Sequence, residues 1–158
     1  MNIKQEMMIE KDIDAVWAVM GGQFAQVHLW SSNFFDSKPG GSAKFTGLDY
    51  STRDTITDRG QTIQELDTFD PTNYALTYHV TKGVPKIANR AVGLWSLKSI
   101  DENKTTVVIA FILEPKGIIG FLLTPIIKLK IQKASLEIAE ELKYYLEQGK
   151  AHPRNQAI

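Results

Sequence analysis

Apolar and polar positions alternate through the middle of the chain and recur at helical spacing near both ends. Residues 3–9 predict a first strand, with Met7, Met8 and Ile9 apolar. Asp12 reads as an N-cap, because its carboxylate can accept from amides that the first helical turn leaves free. The helix it opens carries Ile13, Val16, Trp17 and Met20 on one face, and Gly21 with Gly22 stops it. A short second helix is predicted over 23–29, then a loop at 37–41, Ser-Lys-Pro-Gly-Gly. Strand periodicity takes over after that loop, with strands at 42–48, 52–57, 62–69, 74–81, 88–100 and 105–114. The breaks between them have turn chemistry, as in Asp58-Arg59-Gly60 and Asp101-Glu102-Asn103-Lys104. Short turns between successive strands make antiparallel neighbours. Tyr74, Leu76, Tyr78 and Val80 alternate with Ala75, Thr77, His79 and Thr81, giving that strand one apolar and one polar face.

The last segment predicts one long helix, with Ile127, Ile131, Ala134, Ile138, Leu142 and Tyr145 on a stripe and most charged residues elsewhere. Two beginnings fit: Thr124 and Pro125 as N-cap and first helical position, or a helix from near Ile118 with Pro125 inside it. The chain from Gly149 is expected to fray, so it divides into a single domain over 1–150 and a flexible tail over 151–158. A sheet with one face in water needs cover on the other, and one long amphipathic helix is there to supply it. The expected fold class is therefore α+β: a curved antiparallel sheet of six to seven strands wrapped around a long C-terminal helix, with two short helices after the first strand. A sheet curved over a helix tends to leave space between them.

Composition narrows the function classes. The 158 residues suit one domain, and 43% hydrophobic with 23% charged is ordinary for a globular protein. Eighteen Lys and Arg balance eighteen Asp and Glu, which gives no reason to expect nucleic acid, where phosphate neutralisation dominates binding. The absence of cysteine removes disulfides, thiol catalysis and thiolate metal sites. The first residues carry no apolar h-region and read as lacking a signal peptide; the expected location is cytoplasmic. The longest near-apolar stretch, 117–127, is too short to span a bilayer and contains Pro125.

The order of elements and a set of residues along it resemble a known family. Ile13-Asp14-Ala15-Val16-Trp17 opens the first helix and Trp30 follows the second. Gly41-Ser42-Ala43-Lys44-Phe45, Gln64-Glu65-Leu66 with Asp70, Tyr74 and Tyr78, and Trp95 ahead of Thr105-Thr106-Val107 come next. Phe111 with Glu114-Pro115-Lys116-Gly117 leads to Gly120-Phe121-Leu122-Leu123-Thr124-Pro125 and Leu142-Lys143-Tyr144-Tyr145. The ordered set resembles the START-like, Bet v 1-type (SRPBCC) superfamily, and within it the bacterial polyketide cyclase/dehydrase and lipid-transport group. The resemblance implies a helix-grip fold. It leaves function open, because such proteins bind sterols, lipids, polyketides or hormones and only some catalyse a reaction.

Candidate ligand-binding residues follow from both sources. The aromatic side chains Trp30, Phe34, Phe45, Trp95 and Phe111 serve as core packing or as pocket wall. The resemblance places Gln64, Tyr78, Ile87 and Arg90 on the cavity side and Glu65 and His79 outside. Periodicity agrees for Tyr78 against His79. Over 62–69 it is ambiguous, since Ile63 and Phe69 argue for one face and Leu66 for the other. An inward Arg90 needs a partner such as a ligand carboxylate, enolate or phosphate; the alternative is an arginine at a strand edge in water. Arg53 and Asn89 are further polar candidates. Phe121, Leu122 and Pro125 belong to the run 118–127, which is apolar on all sides and flanked by Lys116, Lys128, Lys130 and Lys133. It reads first as a helix start buried against the sheet and the cavity. The other reading is a lid that touches membrane during lipid exchange.

His28 and His79 lack metal-ligand spacing, and no GxSxG, GxGxxG or GKS/T motif is present, so no metal and no cofactor is expected. The leading expectation is a carrier or sensor, monomer or homodimer, that holds a small hydrophobic molecule. The alternative is a cyclase/dehydrase-like enzyme in which Tyr78 and Arg90 steer carbonyls of a poly-β-keto substrate and His28 or His79 carries the proton. A protein-interaction domain like the Hsp90-activator relatives is a third reading, without a visible binding motif.

Overall fold

The computed structural model describes residues 1–157. The longest hairpin pairs β6, Ala88–Asp101, with β7, Lys104–Pro115, around a turn in which Asp101 accepts from the Asn103 amide at 2.8 Å. On one side of that hairpin β7 pairs with β1, Asn2–Ile9, which aligns Ile3 with Phe111 across most of the sequence. On the other side the chain meanders through β5, Ala75–Lys82, β4, Gly60–Asp70, β3, Thr52–Thr57, and β2, Asp36–Gly40. The sheet has seven strands in the order β1-β7-β6-β5-β4-β3-β2, and every pairing is antiparallel. Between β1 and β2 lie α1, Ile13–Met20, and a 3-10 helix over Phe24–Leu29. The chain then closes with α2, Gly117–Gln148. This is the expected α+β helix-grip arrangement.

Local chemistry explains most boundaries. Asp12 caps α1 through its carboxylate, which accepts from the Ala15 amide at 2.9 Å. Gly149 ends α2 in the left-handed region, with its amide donating to the Tyr145 carbonyl. Pro125 lies inside α2, so the long-helix alternative is the one adopted.

Two segments exchange roles with their expectation. Residues 37–41, expected as a loop, belong largely to β2, and 42–48, expected as a strand, form a loop. Pro39 is tolerated because β2 is an outer strand with one side unpaired, where a missing N–H costs no ladder bond. Past β2, Gly41 turns the chain through a positive φ of 72°, and Phe45 and Leu48 reach the core from an irregular segment.

The tail expected to be flexible, 151–158, carries contacts over its described part: Pro153–Ala157 form a 3-10 turn. Arg154 donates to Glu140 at 2.6 Å and lies 3.3 Å from the buried Glu141, and Asn155 donates to the His28 carbonyl. Glu141 also accepts from the Ser32 hydroxyl and amide, which ties α2 to the segment before β2.

The main core gathers Ile9, Trp17, Phe24, Trp30, Trp95 and Leu142 beneath α1 and the C-terminal part of α2. A smaller cluster of Ala88, Ala91 and Leu113 lies farther along the hairpin and meets Ile127 and Ile131 of α2. Small residues on that stretch of strand cannot fill the distance to the helix, and space remains there.

Candidate ligand-binding cavity

A cavity of about 580 Å³ lies between the inner face of the sheet and α2. This volume is within the usual range for small-molecule sites. Tyr78 and Val80 of β5, Trp95 of β6, Phe111 and Leu113 of β7 and Ile131 of α2 supply its apolar wall. Exposed Asp58, Arg59, Lys130 and Lys133 also border it and form a charged mouth.

Strand register puts these side chains on one face. Leu66 pairs with Tyr78, Tyr78 with Gly93, and Gly93 with Phe111, so one row crosses four strands. Gly93 is required in that row, since a Cβ there would fall 2.2 Å from the Tyr78 ring. The ring occupies the place a side chain would take.

The ambiguity over 62–69 is resolved by a bulge. The pairing shifts between Leu66 and Thr68, leaving Asp67 as the extra residue. Gln64 and Leu66 face inward before the bulge, and Phe69, opposite the inward Leu76, returns to the same side after it.

Five of the expected lining residues border the cavity: Phe34, Gln64, Tyr78, Trp95 and Phe111. The other seven do not. Trp30 is fully buried behind the wall, with its ring 6.4 Å from that of Trp95. Phe45 packs on Phe69 from the loop, at 6.4 Å between ring centres. Ile87 precedes β6, where its carbonyl accepts from the Lys116 amide at the start of α2. Arg90 is exposed. Strand alternation gives the reason: Arg90 and Trp95 lie at an odd spacing with regular pairing between them, so an inward Trp95 turns Arg90 outward. Phe121, Leu122 and Pro125 lie on exposed α2 surface, so the apolar run is not buried against the sheet as first expected. No helix among the described residues is long and apolar enough to cross a membrane.

Directly behind the cavity wall lies Arg53, opposite Gln64 in the β3–β4 pairing and wholly buried. Its Nε donates to Gln64 Oε1 at 2.7 Å and its Nη1 to the Phe24 carbonyl at 2.9 Å. Its guanidinium carbon lies 3.9 Å from the Phe24 ring centre, 4.9 Å from Trp95, 5.1 Å from Tyr78 and 5.3 Å from Phe34. Aromatic faces attract such a cation, most strongly when it is desolvated. Burial pushes its pKa down to about 10, opposed by the neighbouring Tyr78 and Tyr50, so it remains charged at neutral pH. Burial in turn pushes the Tyr78 phenol up, with Arg53 pulling the other way.

Arg53 is among the polar candidates of the sequence, but strand periodicity does not turn it inward. In Thr52-Arg53-Asp54-Thr55-Ile56-Thr57 the apolar Ile56 argues for the opposite face, yet Ile56 is exposed and Arg53 and Thr55 are buried. Register to Gln64 was the usable signal, and it requires the β3–β4 pairing to be known.

The histidines stand apart from the cavity wall. His28 Nδ1 lies 2.7 Å from Ser37 Oγ, and His79 Nδ1 lies 2.8 Å from Asp67 on the polar side of the sheet.

No protein-family model and no curated protein matches the sequence. Solved structures do. A START superfamily protein from Mycobacterium smegmatis superposes with a TM-score of 0.77 at 11% identity, covering 94% of this chain and 99% of that one. Norcoclaurine synthase from Thalictrum flavum, a point mutant with a bound transition-state analogue, gives 0.72 at 11% identity, covering 94% and 95%. The di-domain ARO/CYC BexL of the BE-7585A biosynthetic pathway gives 0.73 at 6% identity, covering 92% of this chain and 47% of that one. The chain therefore has the START-like, Bet v 1-type helix-grip fold.

Proposed function

We propose that the chain is a cytoplasmic carrier or sensor that holds one small hydrophobic molecule, lipid-like, isoprenoid or aromatic, between the sheet and α2. The observation that carries this reading is the cavity of about 580 Å³ bounded by Tyr78, Trp95, Phe111 and Ile131. Apolar burial supplies most of the affinity, at about 25 cal/mol per Å² removed from water. The start of α2 is the exchange surface. Ile118, Phe121 and Leu122 are 80%, 73% and 70% exposed, Lys116, Lys128, Lys130 and Lys133 accompany them, and no acidic residue occurs from 116 to 136. That combination suits an anionic lipid surface. Ile127, Lys130 and Ile131 continue it to the cavity mouth.

The protein purified without added ligand is expected to show, by native mass spectrometry, a stoichiometric apolar adduct on a monomer or homodimer, released by solvent extraction. A clean 17.7 kDa mass with no thermal shift across lipids, isoprenoids and aromatic polyketide mimics would overturn the reading.

A cyclase-like enzyme is the second reading, favoured by the fold shared with the ARO/CYC BexL protein and by Arg53 beside Tyr78. The proton carriers expected for it do not fit, since neither His28 nor His79 borders the cavity. Turnover of a poly-β-keto mimic would establish it.

A further inference from the structure

Among the described residues two charged side chains are completely buried, Glu141 and Arg53, and their surroundings differ. Glu141 has Arg154 at 3.3 Å and two hydrogen bonds from Ser32. Arg53 has no carboxylate: among the described residues it forms no ion pair, and its Nη2 meets no acceptor in good hydrogen-bond geometry, the Tyr78 phenol beside the guanidinium supplying only a neutral oxygen. A buried charge without a counter-charge is costly, and neutral acceptors and ring faces offset only part of that cost. Three of the four rings around it, Phe34, Tyr78 and Trp95, and its partner Gln64, are themselves cavity wall. The cation therefore stands behind the wall and is covered by it, so a ligand reaches Nη2 by displacing a wall side chain such as Tyr78.

We infer that Arg53 anchors the ligand's head group, and that the ligand is an amphipathic monocarboxylate whose carboxylate meets the Arg53 guanidinium while its apolar body lies along Phe111, Leu113 and Ile131. This rests on the cavity reading above and adds the ligand's chemical class to it. A carboxylate supplies the missing negative charge and an acceptor for Nη2. A single free nitrogen among flat ring faces suits a thin planar anion. A phosphate, with more oxygens and more charge, calls for more donors than this site has.

Calorimetry on the full chain with dodecanoate, dodecanol, methyl dodecanoate and dodecyl phosphate tests it. Dodecanoate is expected to bind at least about tenfold more tightly than the alcohol or the ester, as a charge-assisted hydrogen bond predicts. The variant Gln64→Glu puts a carboxylate on the oxygen that Arg53 Nε already touches, so it keeps the cation while satisfying it internally. It is expected to erase the preference for dodecanoate, as is Arg53→Gln if that variant folds. Equal affinity for dodecanoate, alcohol and ester overturns the anchor and leaves the cavity reading standing. A preference that survives Gln64→Glu places the carboxylate at the lysines of the mouth and also overturns it. Tighter binding of dodecyl phosphate overturns the carboxylate assignment. Binding of none of the four overturns the anchor, and the cavity reading is then decided by the adduct and by the wider panel of lipids, isoprenoids and aromatic mimics.

Discussion

The two halves of α2 have opposite relations to the rest of the protein. Toward its C-terminus Ser135, Ala139, Glu141 and Leu142 are buried against the sheet and the segment before β2. Toward its N-terminus Ile118, Ile119, Phe121, Leu122, Ile126 and Leu129 are mostly exposed, although this half is the more apolar. Gly120 is the exception, buried against the Ile87 carbonyl, which a Cβ would approach to 2.4 Å. Hydrophobicity thus does not decide burial along this helix. Burial follows what the sheet presents: Trp95 and Leu97 under one half, Ala88 and Ala91 under the other. The C-terminal half holds the fold together and the N-terminal half leaves a face open, while the cavity is bordered by the stretch 127–138 where the two meet.

That difference has measurable consequences. The largest belongs to the packed half, where Leu142 has no exposure and sits in the main core. Leu142→Ala is expected to lower unfolding stability by about 2–5 kcal/mol in urea titration, because the cavity it leaves adds to the lost burial. A loss below about 0.5 kcal/mol would contradict the division of labour drawn here. Next comes the wall that separates packed core from open cavity. Gly93→Ala forces the Tyr78 ring away from a Cβ at 2.2 Å, at an expected cost of about 1–3 kcal/mol. Displacement of the ring into the cavity should also weaken binding of any apolar probe. Unchanged stability and unchanged probe affinity together would show that the ring does not depend on the glycine. The smallest effect on stability is expected in the open half. Ile118→Ser combined with Phe121→Ser should change stability by less than about 0.5 kcal/mol, as at other exposed positions. The same double variant should lose binding to phosphatidylglycerol vesicles, and added salt should weaken the wild type there. Wild-type protein that ignores such vesicles would remove the membrane contact from the proposed function.

Much of the fold was legible because local physics wrote it. Asp12 before a helical pattern, turn residues between alternating runs and the stripe ending at Tyr145 each report a local requirement, and the element order follows from them. The misread segments involve information from elsewhere. Pro39 marks a loop unless the strand containing it lies at a sheet edge, and edge position is a property of the whole sheet. Five of the twelve candidate residues border the cavity, and most of the seven that do not share a cause. Aromatic or apolar identity says that Trp30, Phe45 and Phe121 prefer cover, but not which surface covers them. Arg90 is different, since its odd spacing from Trp95 was readable and excluded both from one regular face.

The sequence by itself determined the class of elements, their order, the antiparallel meander and the long closing helix, because periodicity, capping and turn chemistry act within a few residues. Tertiary structure alone decided which arginine is buried, which end of α2 is left uncovered and where space remains. Those outcomes depend on bulges, on register between strands distant in sequence, and on how far small side chains such as Ala88 and Ala91 leave the sheet from the helix.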